Sequence, residues 1–351
     1  MCRLYVANGQ DAGQMTRQLL EQIEIEQYIG ENDSVALKPN LVVAKTFQSG
    51  ATTNPDICAA VIEYLFERGR RNVSIIESSW VGEGTARAFK VCGYNDLAKK
   101  YGVELVDVKK DDMVECEYDG LKVDVSKRAL ETDYIINLPL IKGHCQTKVT
   151  CALKNMKGLI SDKEKRRFHA LGLSKPIAYL NKMICADFTI ADGTCTDTTF
   201  EEGGNPTALN TMIAGSDSVL LDTYAAKMLG YCVSDVGYLK IAAEIGVGSS
   251  DLHSAQIVHI NSEQKNVQVV RNGELEKAKA LIRQDSACSA CYSNLVSAMI
   301  STGADKQVRI GQGFREMTGE FGCGDCTKDF DDYVEGCPPS IEDIEKHLGK
   351  A

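Results

Sequence analysis

Five of the 14 cysteines lie in the last 64 residues, as Cys288-Ser-Ala-Cys291, Cys323-Gly-Asp-Cys326 and Gly336-Cys337-Pro338-Pro339. Thiols this dense, in a chain whose first residues lack the apolar segment of a signal peptide, point to a metal centre rather than to disulfides. Two metals fit. Zinc takes two paired C-x2-C turns, which uses Cys288, Cys291, Cys323 and Cys326 and leaves Cys337 idle. An iron–sulfur cluster also takes four thiolates, and a Cys-Pro ligand recurs in bacterial cluster sites, which adds Cys337 to Cys288 and Cys291. The fourth place then falls to Cys323 or Cys326. Residues 320–346 hold nine Asp or Glu against two Lys. A four-thiolate [4Fe–4S] cluster is already anionic, so such surroundings predict a low reduction potential. A solvated acidic face accounts equally well for these acids.

A second concentration of chemistry is basic. Residues 142–169 hold six Lys and two Arg against two acids, plus His144 and His169, within a chain of net charge −10. The lysines alternate with Gly, Asn, Thr and His instead of forming a block, which favours an anion site over a solvated charged face. If residues 150–157 are helical, Thr150, Lys154 and Lys157 share one face while Leu153 and Met156 point inward. Lys154 and Lys157 then aim at the same carboxylate or phosphate as Lys142 and Lys148. His144 is a candidate general acid–base or ligand. The Gly82-Glu-Gly84 turn lacks the third glycine of a dinucleotide fingerprint, so no nicotinamide or flavin is expected.

The elements that would position these groups alternate in type. Short apolar strands at 34–38, 72–77, 103–108, 133–138, 188–192 and 211–214 alternate with amphipathic helices over the first 270 residues. This predicts an α/β fold with a mostly parallel sheet flanked by helices. Asn54 and Pro55 open a helix whose buried stripe is Ile57, Val61, Tyr64 and Leu65. A hairpin is expected to turn at Asp119-Gly120, and Ser216 to cap a helix over 217–229. Segments 257–260 and 267–270 read as an edge hairpin, and 274–283 as a helical linker. The expected division is 1–273, an α/β domain with an anion-binding crevice, and 274–351, the linker with a small cysteine-rich iron–sulfur module. Lys38 and Asn40, Glu77 and Ser78, Asn137 and Lys142, and Asp192 and Gly193 each follow a strand. In open parallel sheets the ligand crevice lies beyond the carboxyl ends of the strands.

Three stretches carry a resemblance to a known family. Ala36-Leu-Lys38-Pro-Asn40, Ile135-Ile-Asn137-Leu-Pro139 with Lys142-Gly-His144, and Thr150-Cys-Ala-Leu-Lys154-Asn155-Met-Lys157-Gly158 resemble motifs of the domain-of-unknown-function family 362 (DUF362). Ala191-Asp192-Gly193 and Ala214-Gly-Ser-Asp217 with Asp222 resemble its later motifs, and the cysteine tail resembles the cluster-binding extension of many members. The resemblance implies a [4Fe–4S] cluster and supplies no reaction. It favours Cys326 over Cys323, because Gly-x-Cys followed by Gly-Cys-Pro recurs in the family. The implied ligands are Cys288, Cys291, Cys326 and Cys337.

The leading expectation is an oxidoreductase or electron-transfer protein acting on an acidic small molecule. Lys38, Asn40, Lys142, Lys148, Lys154, Asn155 and Lys157 would bind that molecule, with His144 and Asp192 as catalytic groups. A redox partner protein is its expected associate. Two other classes remain: a non-redox enzyme using the cluster as a Lewis acid, similar in fold type to the nickel-dependent racemase of 2-hydroxy acids, and a cluster carrier. The negative charge disfavours nucleic acid, and no apolar run approaches a membrane span. The expected setting is cytoplasmic and anaerobic.

Overall fold

The computed structural model describes residues 2–261 and 273–349. The chain divides into two compact units, Met1–Gly143 with Thr147–Val267, and His144–Gln146 with Gln268–Ala351.

The first unit is built on an eight-stranded sheet. Its order is Gln256–His259, Arg3–Asn8, Thr211–Gly215, Phe188–Gly193, Tyr134–Leu138, Val35–Pro39, Val73–Glu77, Glu104–Asp107. All but Thr211–Gly215 run the same way. That strand is reached from Gly193 by a loop without a helical crossover, so it returns beside its predecessor in the opposite direction. The central strands are buried along their whole length, as parallel strands covered on both faces must be. Alternate side chains feed two cores: Ala36 and Ile135 face one, Leu37 and Ile136 the other. The fold class read from the sequence, an α/β protein with a mostly parallel sheet, is the one observed.

Local signals place the helices. Asn54 accepts the Asp56 N–H at 3.0 Å and Pro55 begins the helix Pro55–Glu67, which buries Ile57, Val61, Tyr64 and Leu65. The hairpin Met113–Tyr118 with Leu121–Ser126 turns at Asp119 and Gly120, both at positive φ. Four expectations need correcting. The cap of Ser218–Met228 is Asp217, not Ser216, because its carboxylate reaches the Val219 and Leu220 N–H groups. Residues 150–157 are not one helix: Thr150 ends the short strand Lys148–Thr150, and the helix Ala152–Asn155 follows. Gln256–His259 pairs in parallel with Arg3–Asn8, while the proposed hairpin partner at 267–270 lies outside the described residues. Residues 274–283 split into the helix Gly273–Leu281 and the strand Ile282–Gln284.

The second unit has a sheet of its own. Ile282–Gln284, Val308–Ile310, Phe321–Cys323 and Asp332–Val334 pair in that order, all parallel. Ser289–Thr302 packs on Ile341–Leu348, with Leu295, Val296, Met299 and Ile344 buried. Among the described residues no helix is long and apolar enough to cross a membrane.

Candidate functional site

The chain leaves Val35–Pro39 for strands on one side and later returns to the other side with Tyr134–Leu138. Such a switch point opens a crevice at the carboxyl ends of the strands. Three amides from separate segments close its floor. Asn40 Nδ2 donates to Asn155 Oδ1 at 2.9 Å, and Asn155 Nδ2 donates to Asn137 Oδ1 at 2.8 Å. Asn137 Nδ2 donates to the Ala152 carbonyl at 3.0 Å. Asp222 fixes the helix carrying Lys154 by accepting the Ala152 and Leu153 N–H groups at 2.7 and 3.1 Å. Burial raises the Asp222 carboxyl to about 7, against the lowering effect of those bonds.

Above this floor lies a cavity of about 70 Å³, lined among others by Asn40, Trp80, Thr150, Lys154, Lys157 and Lys165. At roughly 10–15 Å³ for each water-sized occupant, it holds about five heavy atoms. The lysines are not equivalent. Lys154 pairs with Glu201. Lys165 donates to the Ser78 and Ser79 carbonyls and the Ser78 hydroxyl, and burial brings it down to about 8. Among the described residues Lys157 has neither a hydrogen bond nor an ion pair. Burial, then the neighbouring Lys154 charge, lowers its ammonium to about 7. Thr150 Oγ1 is buried and also unpartnered among the described residues. Thr150 and Lys157 both line the crevice, although Thr150 sits on a strand and not on the helical face expected.

Several expected ligand groups are occupied elsewhere. Lys142 donates to Asn40 Oδ1 at 3.1 Å and to the Ala51 and Glu201 carbonyls at 2.8 Å, using all three protons to tie loops together. Burial lowers it to about 7. Lys38 is fully buried and donates to Glu77 Oε2 at 2.7 Å and to the Pro39 carbonyl at 2.9 Å. Its burial outweighs its partner, and its pKa falls below the ordinary lysine value. Lys148 is exposed and pairs with Asp235 at 3.5 Å. Asp192 accepts the Asn54 N–H at 3.0 Å and the Thr194 N–H and hydroxyl at 2.8 and 2.7 Å. It is therefore a buried organiser of loops, and burial raises its pKa. His144 belongs to the second unit, where Nδ1 accepts the Gln146 N–H at 3.0 Å.

The sequence reading missed Lys165, Trp80 and Glu201. Lys165 sits three residues before Phe168 in Asp162–Leu171, and both are buried, so the helical spacing from that apolar residue was the available signal. Trp80 is the sole tryptophan, followed by Gly82, where an added Cβ would stand 2.1 Å from the indole ring. Gly158 is equally constrained: a Cβ there would lie 2.0 Å from Glu77 Oε1 and 2.5 Å from Lys38 Nζ. Gly158→Ala is expected to lose about 1–3 kcal/mol in urea unfolding, the cost of overpacking a filled site. An unchanged midpoint would show that the buried pair yields freely.

In the second unit the tail cysteines follow the carboxyl ends of the parallel strands. Cys288 and Cys291 come after Ile282–Gln284, Cys323 ends its strand with Cys326 just beyond, and Cys337 follows Asp332–Val334. Asp325 joins two of these loops, accepting the Gly336 N–H at 2.7 Å while its own N–H donates to the Gly336 carbonyl at 3.1 Å. Burial, then the Cys326 and Cys337 thiols, raises Cys288. Cys291 is raised by burial and then by Cys288, Cys323, Cys337 and Cys326. Burial alone pushes Cys323 up to about 12. Among the described residues no group of three or more His, Cys, Asp or Glu side chains is arranged to hold a metal ion.

Comparison with known proteins places the crevice in a wider context. The model of a domain of unknown function, DUF362, matches residues 35–227, a span that includes every residue named on the crevice wall. The thylakoid-associated protein sll1697 of Synechocystis sp. is 26% identical over 219 residues, covering 59% of this chain and 66% of that protein. The lactate racemase apoprotein from Thermoanaerobacterium thermosaccharolyticum aligns with a TM-score of 0.39 at 12% identity, over 66% of this chain and 57% of its own.

Proposed function

The chain belongs to the DUF362 family, and from that premise we propose that it binds a small anionic molecule in the lysine-lined crevice and carries a [4Fe–4S] cluster in its second unit. It then works in the cytoplasm of an anaerobic cell as an oxidoreductase or electron-transfer protein, with a redox protein as partner.

One observation carries the anion reading. The Lys157 ammonium and the Thr150 hydroxyl line the same small cavity, and neither has a partner among the described residues. The buried Thr150 hydroxyl lacks a partner, which is costly, and the half-buried Lys157 ammonium in the same cavity can share a carboxylate or phosphate oxygen with it. Lys165 adds positive charge to the wall, while Lys154 and Lys38 are neutralised by Glu201 and Glu77. The volume of about 70 Å³ suits a ligand, or the end of one, of a few heavy atoms.

The cluster reading rests on the donors. Loops after three parallel strands bring soft thiols within electrostatic reach of one another. A multinuclear cluster takes one thiolate on each of four irons, which four such loop thiols supply. Cys288, Cys291, Cys326 and Cys337 would hold it. Cys326 and then Cys337 are the foremost charged neighbours of Cys288. When bound, such a cluster supplies one-electron chemistry.

Trp80 lies on the crevice wall and is the only indole, so its emission reports occupancy directly. Titration with acetate, oxalate or phosphate is expected to give a saturable change for at least one anion, lost in Lys157→Met. A flat response to all three would overturn the anion reading.

A further inference from the structure

We propose that Lys157 is a nucleophile that condenses with the carbonyl carbon of a small oxo acid held in the crevice. The inference rests on the anion reading above and names the substrate class.

Lys38, Lys142, Lys154 and Lys165 all spend their protons on protein oxygens. Lys157 spends none among the described residues, although Glu201 influences it electrostatically. The groups that face it are Lys154 and Lys165, both cationic, and Glu201, which Lys154 already engages. Glu77 and His169 complete the titratable lining, and Glu77 is committed to Lys38. Cationic neighbours and a desolvated setting are what make a lysine nucleophilic. Here they bring its ammonium to about 7, so that a large fraction is neutral at physiological pH.

The ligand follows from the same wall. Lys165 and the Thr150 hydroxyl are suited to a carboxylate, and the volume leaves room for a two- or three-carbon chain. In the step itself the Nζ lone pair attacks the carbonyl carbon, giving a carbinolamine. Loss of water gives a protonated imine, with no change in oxidation state. That cation draws electrons from an adjacent C–H carbon, where the oxo acid has one, so that water can take its proton to give the enamine; the proton's return restores the iminium, and readdition of water with release of a proton from nitrogen returns the oxo acid and the free amine.

The test is to incubate the full chain with glyoxylate and sodium cyanoborohydride, whose hydride traps the imine as a stable secondary amine, and to map the adduct by mass spectrometry. A surface lysine near its usual pKa of about 10.4 is neutral only about once in a few thousand molecules at pH 7. Labelling of Lys157 should therefore exceed that of surface lysines on the order of a hundredfold, after allowing for its weaker basicity. Its rate should level off above about pH 7, whereas theirs keeps rising. Lys157→Arg retains a cation and should bind glyoxylate without forming the adduct. Labelling spread over the surface, or centred on Lys154 or Lys165, overturns the proposal. Trp80 emission with glyoxylate and no reductant separates the two readings. A saturable change without an adduct at Lys157 removes the imine and keeps the anion site; no change removes the imine, and the acetate, oxalate and phosphate titrations then decide the anion site.

Discussion

Lys38→Met should lower stability by about 3–5 kcal/mol, because it leaves the Glu77 carboxylate buried without its counter-charge. Both side chains are sealed from solvent, and the pair spans two neighbouring strands at 2.7 Å. Glu77 keeps the Leu41 N–H at 3.1 Å and the Ser78 N–H at 2.6 Å, which satisfy lone pairs but not charge. The loss is the cost of one uncompensated buried charge. Adding Glu77→Gln should recover most of it, since a neutral amide needs no counter-charge. A loss below about 1 kcal/mol at pH 7 in urea unfolding would show that water reaches the pair.

The second large effect concerns iron. Anaerobically reconstituted protein is expected to hold about four iron atoms per chain and a broad visible band. Serine at Cys288, Cys291, Cys326 or Cys337 should remove both, because a hydroxyl replaces a thiolate ligand. Cys323→Ser should keep both: that thiol is buried at a strand end, and burial alone raises it. Loss with Cys323→Ser and retention with Cys326→Ser would exchange the two assignments. Zinc without iron would remove the cluster from the account. Iron that dithionite cannot reduce, judged by paramagnetic resonance, would remove its electron-transfer role.

The architecture was legible because it rests on local rules. Alternating strands and helices, the Asn54-Pro55 start and the Asp119-Gly120 turn depend on neighbours in sequence. The crevice was legible in outline for a related reason: a parallel sheet collects the ends of its strands on one edge. What sequence reading does not supply is partnership. Lys38, Lys142 and Lys157 look alike as charges, yet Glu77 and the Ala51 and Glu201 carbonyls engage the first two from distant segments. Asp192 reads as a polar group at a strand end, but Asn54 and Thr194 enclose it. The four-stranded sheet of the tail went unread because its strands are three residues each, too short for an alternating pattern.

Oxalate binding by calorimetry at pH 6 and pH 9 tests the crevice most directly. Lys157 is mostly charged at the lower pH and neutral at the higher, since burial sets its ammonium near 7. Replacing a charge-assisted hydrogen bond by a neutral one should weaken affinity about tenfold across that interval. In Lys157→Met the affinity should be weak, with only the smaller fall that Lys165 contributes, since burial brings it to about 8. Equal affinity at pH 6 and 9 in the unmodified protein, or undiminished binding in the variant, would place the anion somewhere else.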